Sequence, residues 1–344
     1  MAEETIRIGI VGAGKNTTKM HIPGLQAIEN VEIVSVCNRS HSSSERVANQ
    51  FNISAVYENW WDLVAGSDTD AILIGTWPNM HRPVTLAALE AGKHVLCEAR
   101  MAMNAEEATQ MFAASKANPH LVTQVVPSPF TLHVDQTIKR LISKGYLGEI
   151  LVIEVRANGN DFLDPDSAIH WRQDVDLSGL NVMNLGIWYE ALMRWVGEAD
   201  QVIAMGKTYV KRRRDPESRL MKTISIPEHL NVIAEMACGA QASFSISNVA
   251  GLSGEDSAYL YGSEGTLRYT GGKLFGGKKD DIELREIVIP EQERGGWRVE
   301  DEFINAIRGI EKINRTTFAD GVKYMKFTEA VSQSIAKRRT VFVY

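Results

Sequence analysis

Up to about residue 126 the chain alternates short apolar runs with helical patterns, and no other feature restricts its fold as much. The runs fall at 6–11, 32–37, 55–57, 71–76, 94–98 and 121–126. They are apolar almost throughout, as strands buried on both faces of a parallel sheet must be. Helix starts lie between them: Ser42 with Glu45, and Asn104 with Glu107, have capping-box or near-capping-box spacing. Strands alternating with helices predict a doubly wound parallel α/β sheet, a Rossmann fold, over residues 1–126.

After Val126 the rhythm changes. Pro127 and Pro129 mark a connection, a helix over 133–143 closes at Gly145, and strands follow at 149–157, 201–210, 231–237, 241–248, 257–261, 265–269 and 281–289. A helical segment over 183–196 interrupts the series, and helices over 299–308 and 320–336 end it. Turn signals at Cys238-Gly239 and Gly262-Ser263-Glu264-Gly265 argue for antiparallel neighbours. Residues 127–344 are therefore expected as an α+β domain around a mainly antiparallel open sheet. Two domains suit 344 residues, more than one hydrophobic core usually serves.

The first strand runs directly into Gly12-Ala13-Gly14-Lys15-Asn16-Thr17. Gly12 permits a tight turn, and Gly14 lets the backbone approach a pyrophosphate at the N-terminus of the following helix. The third glycine position is Thr17, so that helix is expected slightly farther from the strand. With a strand before, a helix after and five more strands, the turn points to a nicotinamide dinucleotide. The second strand ends in Asn38-Arg39-Ser40, where NAD would call for a carboxylate on the ribose. A neutral amide followed by a guanidinium and hydroxyls suits a 2′-phosphate. NADP is thus the favoured cofactor, with NAD the alternative if Arg39 only stacks on the adenine or faces solvent.

The net charge of −6 gives no electrostatic reason to expect nucleic acid or an anionic membrane as partner. The one dense basic run, residues 211–214, reads as a solvated loop. Cys37, Cys97 and Cys238 are widely spaced, so neither a disulfide framework nor a metal site is expected. The acidic start predicts no secretory leader, and no apolar stretch approaches the roughly 20 residues of a membrane span. A cytoplasmic location is the expectation.

The chain resembles the glucose-fructose oxidoreductase, inositol dehydrogenase and rhizopine-catabolism (Gfo/Idh/MocA) family nearly end to end. The likeness is carried by the Gly12-Ala13-Gly14 turn with His21-Ile22-Pro23-Gly24-Leu25, by Gly75-Thr76-Trp77-Pro78-Asn79-Met80-His81, and by residues 87–98, Ala-Ala-Leu-Glu-Ala-Gly-Lys-His-Val-Leu-Cys-Glu. Tyr261-Gly262-Ser263-Glu264-Gly265-Thr266-Leu267 and the Asp320-Gly321 helix extend it. The resemblance implies oxidation or reduction of a small sugar-like, cyclic or carboxylated substrate with NAD or NADP. It also implies a homodimer or homotetramer through the second domain's sheet face. Thr76, Trp77, Asn79, His81 and Glu98 are the further cofactor-side positions it indicates.

The family's catalytic residues do not carry over. Its Glu-Lys-Pro stands here as Glu98-Ala99-Arg100, and its Asp-x-x-x-His as Asn184-Leu185-Gly186-Ile187-Trp188. Oxidising a carbinol needs a base for the hydroxyl proton, and neither Asn184 nor Trp188 is one at neutral pH. Substitutes by position are His170 for the proton, Arg100 or Arg172 for an anionic group, and Tyr189 beside the lost histidine. Each has a structural alternative: a surface imidazole, a buried ion pair, a core phenol. Trp171 and Trp188 are either core aromatics or a stacking surface. Two further readings stay open: a lyase or hydrolase that oxidises its substrate transiently, and a dinucleotide-binding sensor without catalysis.

Overall fold

The computed structural model describes residues 4–344, which form two compact units. One is the chain up to Pro127 together with Arg298–Val322; the other is Ser128–Trp297 with Lys323–Tyr344. Residues 298–322, expected in the second domain, thus belong with the first. Two carboxylates on helix Val299–Ile307 give the reason: Glu300 bonds His21, and Glu302 accepts from Gln124 Nε2 at 2.9 Å.

The first unit carries a six-stranded parallel sheet of β1 (Ile6–Val11), β2 (Val31–Cys37), β3 (Ala55–Val56), β4 (Ala71–Ile74), β5 (His94–Cys97) and β6 (Thr123–Val125), ordered β3-β2-β1-β4-β5-β6. The order reverses between β1 and β4, the switch point at which such sheets take their ligands. All four residues of β4 are buried, as the unbroken apolar runs required. Asn104 caps helix Ala105–Ala117 by accepting from Glu107 N at 2.9 Å. The Ser42 signal is displaced by two residues: the helix is His41–Phe51 and Ser40 is its N-cap.

The second unit holds nine strands: β7 (Ile150–Asn158), β8 (Ala199–Lys207), β11 (His229–Met236), β12 (Gln241–Ser247), β13 (Ser257–Gly262), β14 (Gly265–Thr270), β15 (Lys273–Lys278), β16 (Arg285–Glu286) and β17 (Val341–Phe342). A separate pair, β9 (Arg212–Arg214) and β10 (Met221–Thr223), completes the numbering. The large sheet is ordered β16-β15-β14-β13-β7-β12-β11-β8-β17, antiparallel except for β7 beside β12. Turns at Gly239 and at 262–265 join antiparallel neighbours as expected.

Two expectations are corrected here. The strand expected over 281–289 is mostly irregular, with Ile282 and Val288 exposed, and the sheet is built instead by β15. A Cβ on Gly276 of β15 would lie 2.6 Å from Ile287 Cδ1 and 2.8 Å from Tyr146 Oη, so neighbouring side chains pack close against the glycine. The basic run is not simply a solvated loop either. Arg213 in β9 is buried, pairs with Glu228 at 2.8 Å and donates to Asp164 O at 2.7 Å. Alternation along β9 turns this one guanidinium inward while Arg212 and Arg214 stay outside.

Candidate functional site

In the first unit the C-terminal ends of β1, β2, β4 and β5 gather the residues that carry the chemistry. At the end of β1, Gly12 has φ +86°, and a Cβ there would fall 2.6 Å from Thr76 Cγ2. Gly14 differs: the nearest atom to a Cβ is Gly75 O at 3.6 Å, so the turn is open at this point. Lys15 and Asn16 are exposed beside it. Thr17 is buried, donates to Gly12 O at 3.3 Å, and begins a π-helical turn, Thr17–His21, that leads into helix Ile22–Gln26. Its hydroxyl fills the place beside Gly75, where a Cβ would come within 2.1 Å of it.

At the end of β2 the Asn38 side chain is a strut. Its Oδ1 accepts from Ala13 N at 2.6 Å and its Nδ2 donates to Ser43 O at 3.2 Å. Arg39 is exposed and lies over the Trp77 ring, 5.2 Å from its centroid, with Ser40 exposed beside it. A flat cation over an indole is a stable pair. Beyond β4, Thr76 Oγ1 and Asn79 Oδ1 are buried without a hydrogen-bond partner. Buried polar groups are nearly always satisfied, so two orphans at one strand end, beside an open glycine turn, fit a site that takes a polar ligand.

Glu98 follows β5 directly, its carboxylate held by three donors: the Asn16 amide, His21 Nε2 at 3.1 Å and Ala99 N at 3.1 Å. Burial works to raise its pKa, but the His21 bond and charge outweigh it and hold the group below its ordinary value. His81 is fully buried, with Nε2 3.1 Å from Thr76 O and Nδ1 3.0 Å from Arg100 O. Burial pushes its pKa down. It therefore ties the loop after β4 to the loop after β5 instead of presenting a face to solvent. Arg100 follows a cis peptide from Ala99 and is among the largest fully buried side chains.

The second unit places the remaining candidates. His170 is exposed; its Nδ1 accepts from Arg172 N at 3.3 Å, capping the short helix Trp171–Gln173. Partial desolvation of its ring, then the neighbouring Arg172 charge, lowers its pKa. Arg172 is exposed and stacks on Trp171 at 4.3 Å. Tyr189 is corrected to a core residue: it is buried, stacks on Phe327 at 3.6 Å, and its hydroxyl accepts from Ala199 N at 2.8 Å. A residue one step along a helix is turned about 100° from its neighbour, which carries this phenol off the face of Trp188. Trp188 is buried 5.3 Å from Phe130. Sequence reasoning missed Glu300, which reaches His21 from far along the chain and carries no local signal.

Comparison with known proteins agrees with this architecture. The model for an oxidoreductase family with an NAD-binding Rossmann fold matches residues 6–139, and that for the GFO/IDH/MocA C-terminal domain matches 136–268. Trans-1,2-dihydrobenzene-1,2-diol dehydrogenase of Mus musculus is 26% identical over 76% of this chain and 73% of its own length. D-Glucoside 3-dehydrogenase of Escherichia coli is 28% identical over 46% of this chain and 44% of its own. The apo form of levoglucosan dehydrogenase superposes with a TM-score of 0.86 at 20% identity, covering 99% of each chain, a likeness of fold. Two family models spanning both domains, on a sheet whose switch point carries an open glycine turn, show that the chain belongs to the Gfo/Idh/MocA family of oxidoreductases.

Proposed function

We propose that this protein is an NADP-dependent oxidoreductase acting on a small polar substrate, sugar-like, cyclic or carboxylated, with a catalytic set different from its family's. The observation that carries the cofactor choice is the end of β2, where the neutral Asn38 and the exposed Arg39 and Ser40 stand in place of a carboxylate. A 2′-phosphate would meet the guanidinium there, with Trp77 beneath it as a flat support for the adenine. Gly12, Gly14, Lys15, Asn16 and Thr17 would hold the pyrophosphate, and Thr76, Asn79 and Glu98 the remainder. When bound, the nicotinamide supplies the hydride acceptor or donor. With Nδ1 accepting from Arg172 N, the ring proton of a neutral His170 sits on Nε2, which suits a proton donor to a carbonyl being reduced, and Arg172 suits an anionic substrate group. Arg100 enters only from its buried position.

Binding isotherms for NADP and NAD at fixed salt test the choice. A charge pair 4 Å apart is worth about 4 kcal/mol at an effective dielectric near 20, and a quarter of that gives a several-fold preference. Asn38→Asp with Arg39→Ala should reverse it toward NAD. Equal affinity in the wild type, or an unchanged ratio in the double variant, would refute the assignment.

A second reading is favoured by Ala99, Asn184 and Trp188 standing at the family's catalytic positions. In it the protein turns over by transient oxidation, as a lyase or hydrolase, or only senses the dinucleotide. A net oxidoreductase changes absorbance at 340 nm with substrate; a transient-redox enzyme makes product without net change, and a sensor does neither. We further propose a homodimer through the open face of the large sheet. Ile203 and Ile233 are opposite one another in the ladder there, both about half exposed, and Met205 is more exposed still.

A further inference from the structure

We infer that His21 is a positioning residue for the dinucleotide: bridging Glu98 and Glu300, it fixes the Glu98 carboxylate and, through it, the Asn16 amide at the mouth of the glycine turn. The inference rests on the reading that Asn16 and Glu98 line the cofactor site.

The geometry is closed on both sides. The imidazole is fully buried, with Nδ1 2.5 Å from Glu300 Oε1 and Nε2 3.1 Å from Glu98 Oε1. A carboxylate only accepts, so each ring nitrogen must donate, and an imidazole that donates twice carries a positive charge. Three segments meet on this ring: the π-helical turn that follows the glycines, the end of β5, and helix Val299–Ile307. The last is pressed close, for a Cβ on Gly24 would fall 2.9 Å from Glu300 Cδ. Burial works against the charge, but the bonds to Glu300 and Glu98 outweigh it and hold the pKa up to about 9.

The charge answers a difficulty of the site. Glu98 would put a bare carboxylate beside the place meant for a dianionic pyrophosphate, and Ala99 leaves that stretch without the family's lysine. With the proton on His21 the cluster of His21, Glu98 and Glu300 sums to one negative charge; without it, to two. A neutral ring has one N–H for two carboxylates, so Glu98 is held less firmly, chiefly by the Asn16 amide and Ala99 N. Dinucleotide affinity should therefore hold at neutral pH and weaken as pH rises through the His21 ionisation.

Titration of NADPH by fluorescence, from pH 7 to 10, on the wild type, His21→Gln and Glu300→Gln tests this. Wild-type Kd should be level to about pH 8 and rise roughly tenfold by pH 10. His21→Gln should bind roughly tenfold more weakly at pH 7.5, with no inflection near 9. Glu300→Gln keeps the ring and Glu98 but removes one partner charge, so its inflection should move to lower pH. It also serves if His21→Gln does not fold. A folded His21→Gln with wild-type Kd and pH profile overturns the inference, as does an unmoved inflection in Glu300→Gln. Gly14→Val separates the two levels. If it still binds NADPH normally, the site reading falls and this inference with it; if it loses binding while both cluster variants match wild type, only the role of His21 falls.

Discussion

Gly14 and Gly12 lie two residues apart and should respond to substitution in opposite ways. At Gly14 a side chain has room in the free protein, so Gly14→Val should fold with near-wild-type thermal stability yet gain none from added NADP or NAD. At Gly12 the left-handed φ and the 2.6 Å approach to Thr76 mean that even Gly12→Ala strains the turn. That variant should lose stability without cofactor, by about 1–3 kcal/mol, read as a lowered denaturation midpoint. The buried imidazolium gives a second residue-scale expectation. A group whose pKa is raised on folding, here from 6.5 to about 9, contributes stability that is full below the unfolded value and is lost as pH rises through the folded one. The wild type should thus lose stability between about pH 6.5 and 9 more steeply than Glu300→Gln, which holds that proton less firmly. Parallel urea titrations across that window would show it, and equal slopes would count against a charged His21.

Among the elements, what could be read from sequence depended on whether the signal was local. The first-unit strands were legible to within two residues at each end because the central ones, β1, β4 and β5, are buried almost throughout, which leaves an unbroken apolar run. β15 was not, since Gly276-Gly277 looks like a turn until Tyr146 is seen against it. The glycine turn was legible as a cofactor signal, whereas the His21–Glu300 pair was not, because nothing near either residue announces the other. Tyr189, one helical step from the lost histidine position, stood open between a catalytic substitute and a core phenol, and its surroundings decide for the core. The basic run hid a different role: β9 holds the segment that carries His170, through Arg213 to Asp164 O and Arg214 O to Ile169 N. Glu228 answers Arg213 from a buried position and also accepts from Tyr209 N and Val210 N. Arg213→Met should leave that carboxylate without its cation and cost about 3–5 kcal/mol. Protease nicking within residues 159–170 should rise at the same time. A stable, uncut variant would mean that the segment is held by other contacts.

For the molecule as a whole, the open face of the nine-stranded sheet is where the proposed homodimer would form. One row across it reads Ile203, Ile233, Ser243, Glu154, Tyr259 and Arg268, apolar at the β8–β11 end and polar toward β7. Ile233→Lys should shift the protein to monomer by light scattering at micromolar concentration while leaving NADPH affinity unchanged; a wild type that is already monomeric would remove the proposal. The division of the first unit bears on how the chain comes into being. Its sheet is complete at Val125, but the helix that answers His21 starts at Val299, with most of the second unit in between. At a synthesis rate of 5–20 residues per second, the ribosome needs roughly 10–35 s to deliver that stretch. Throughout that interval the nascent sheet waits with the His21 ring lacking its Glu300 partner, so the half that leaves the tunnel first is completed only when its own last segment follows most of the other half out.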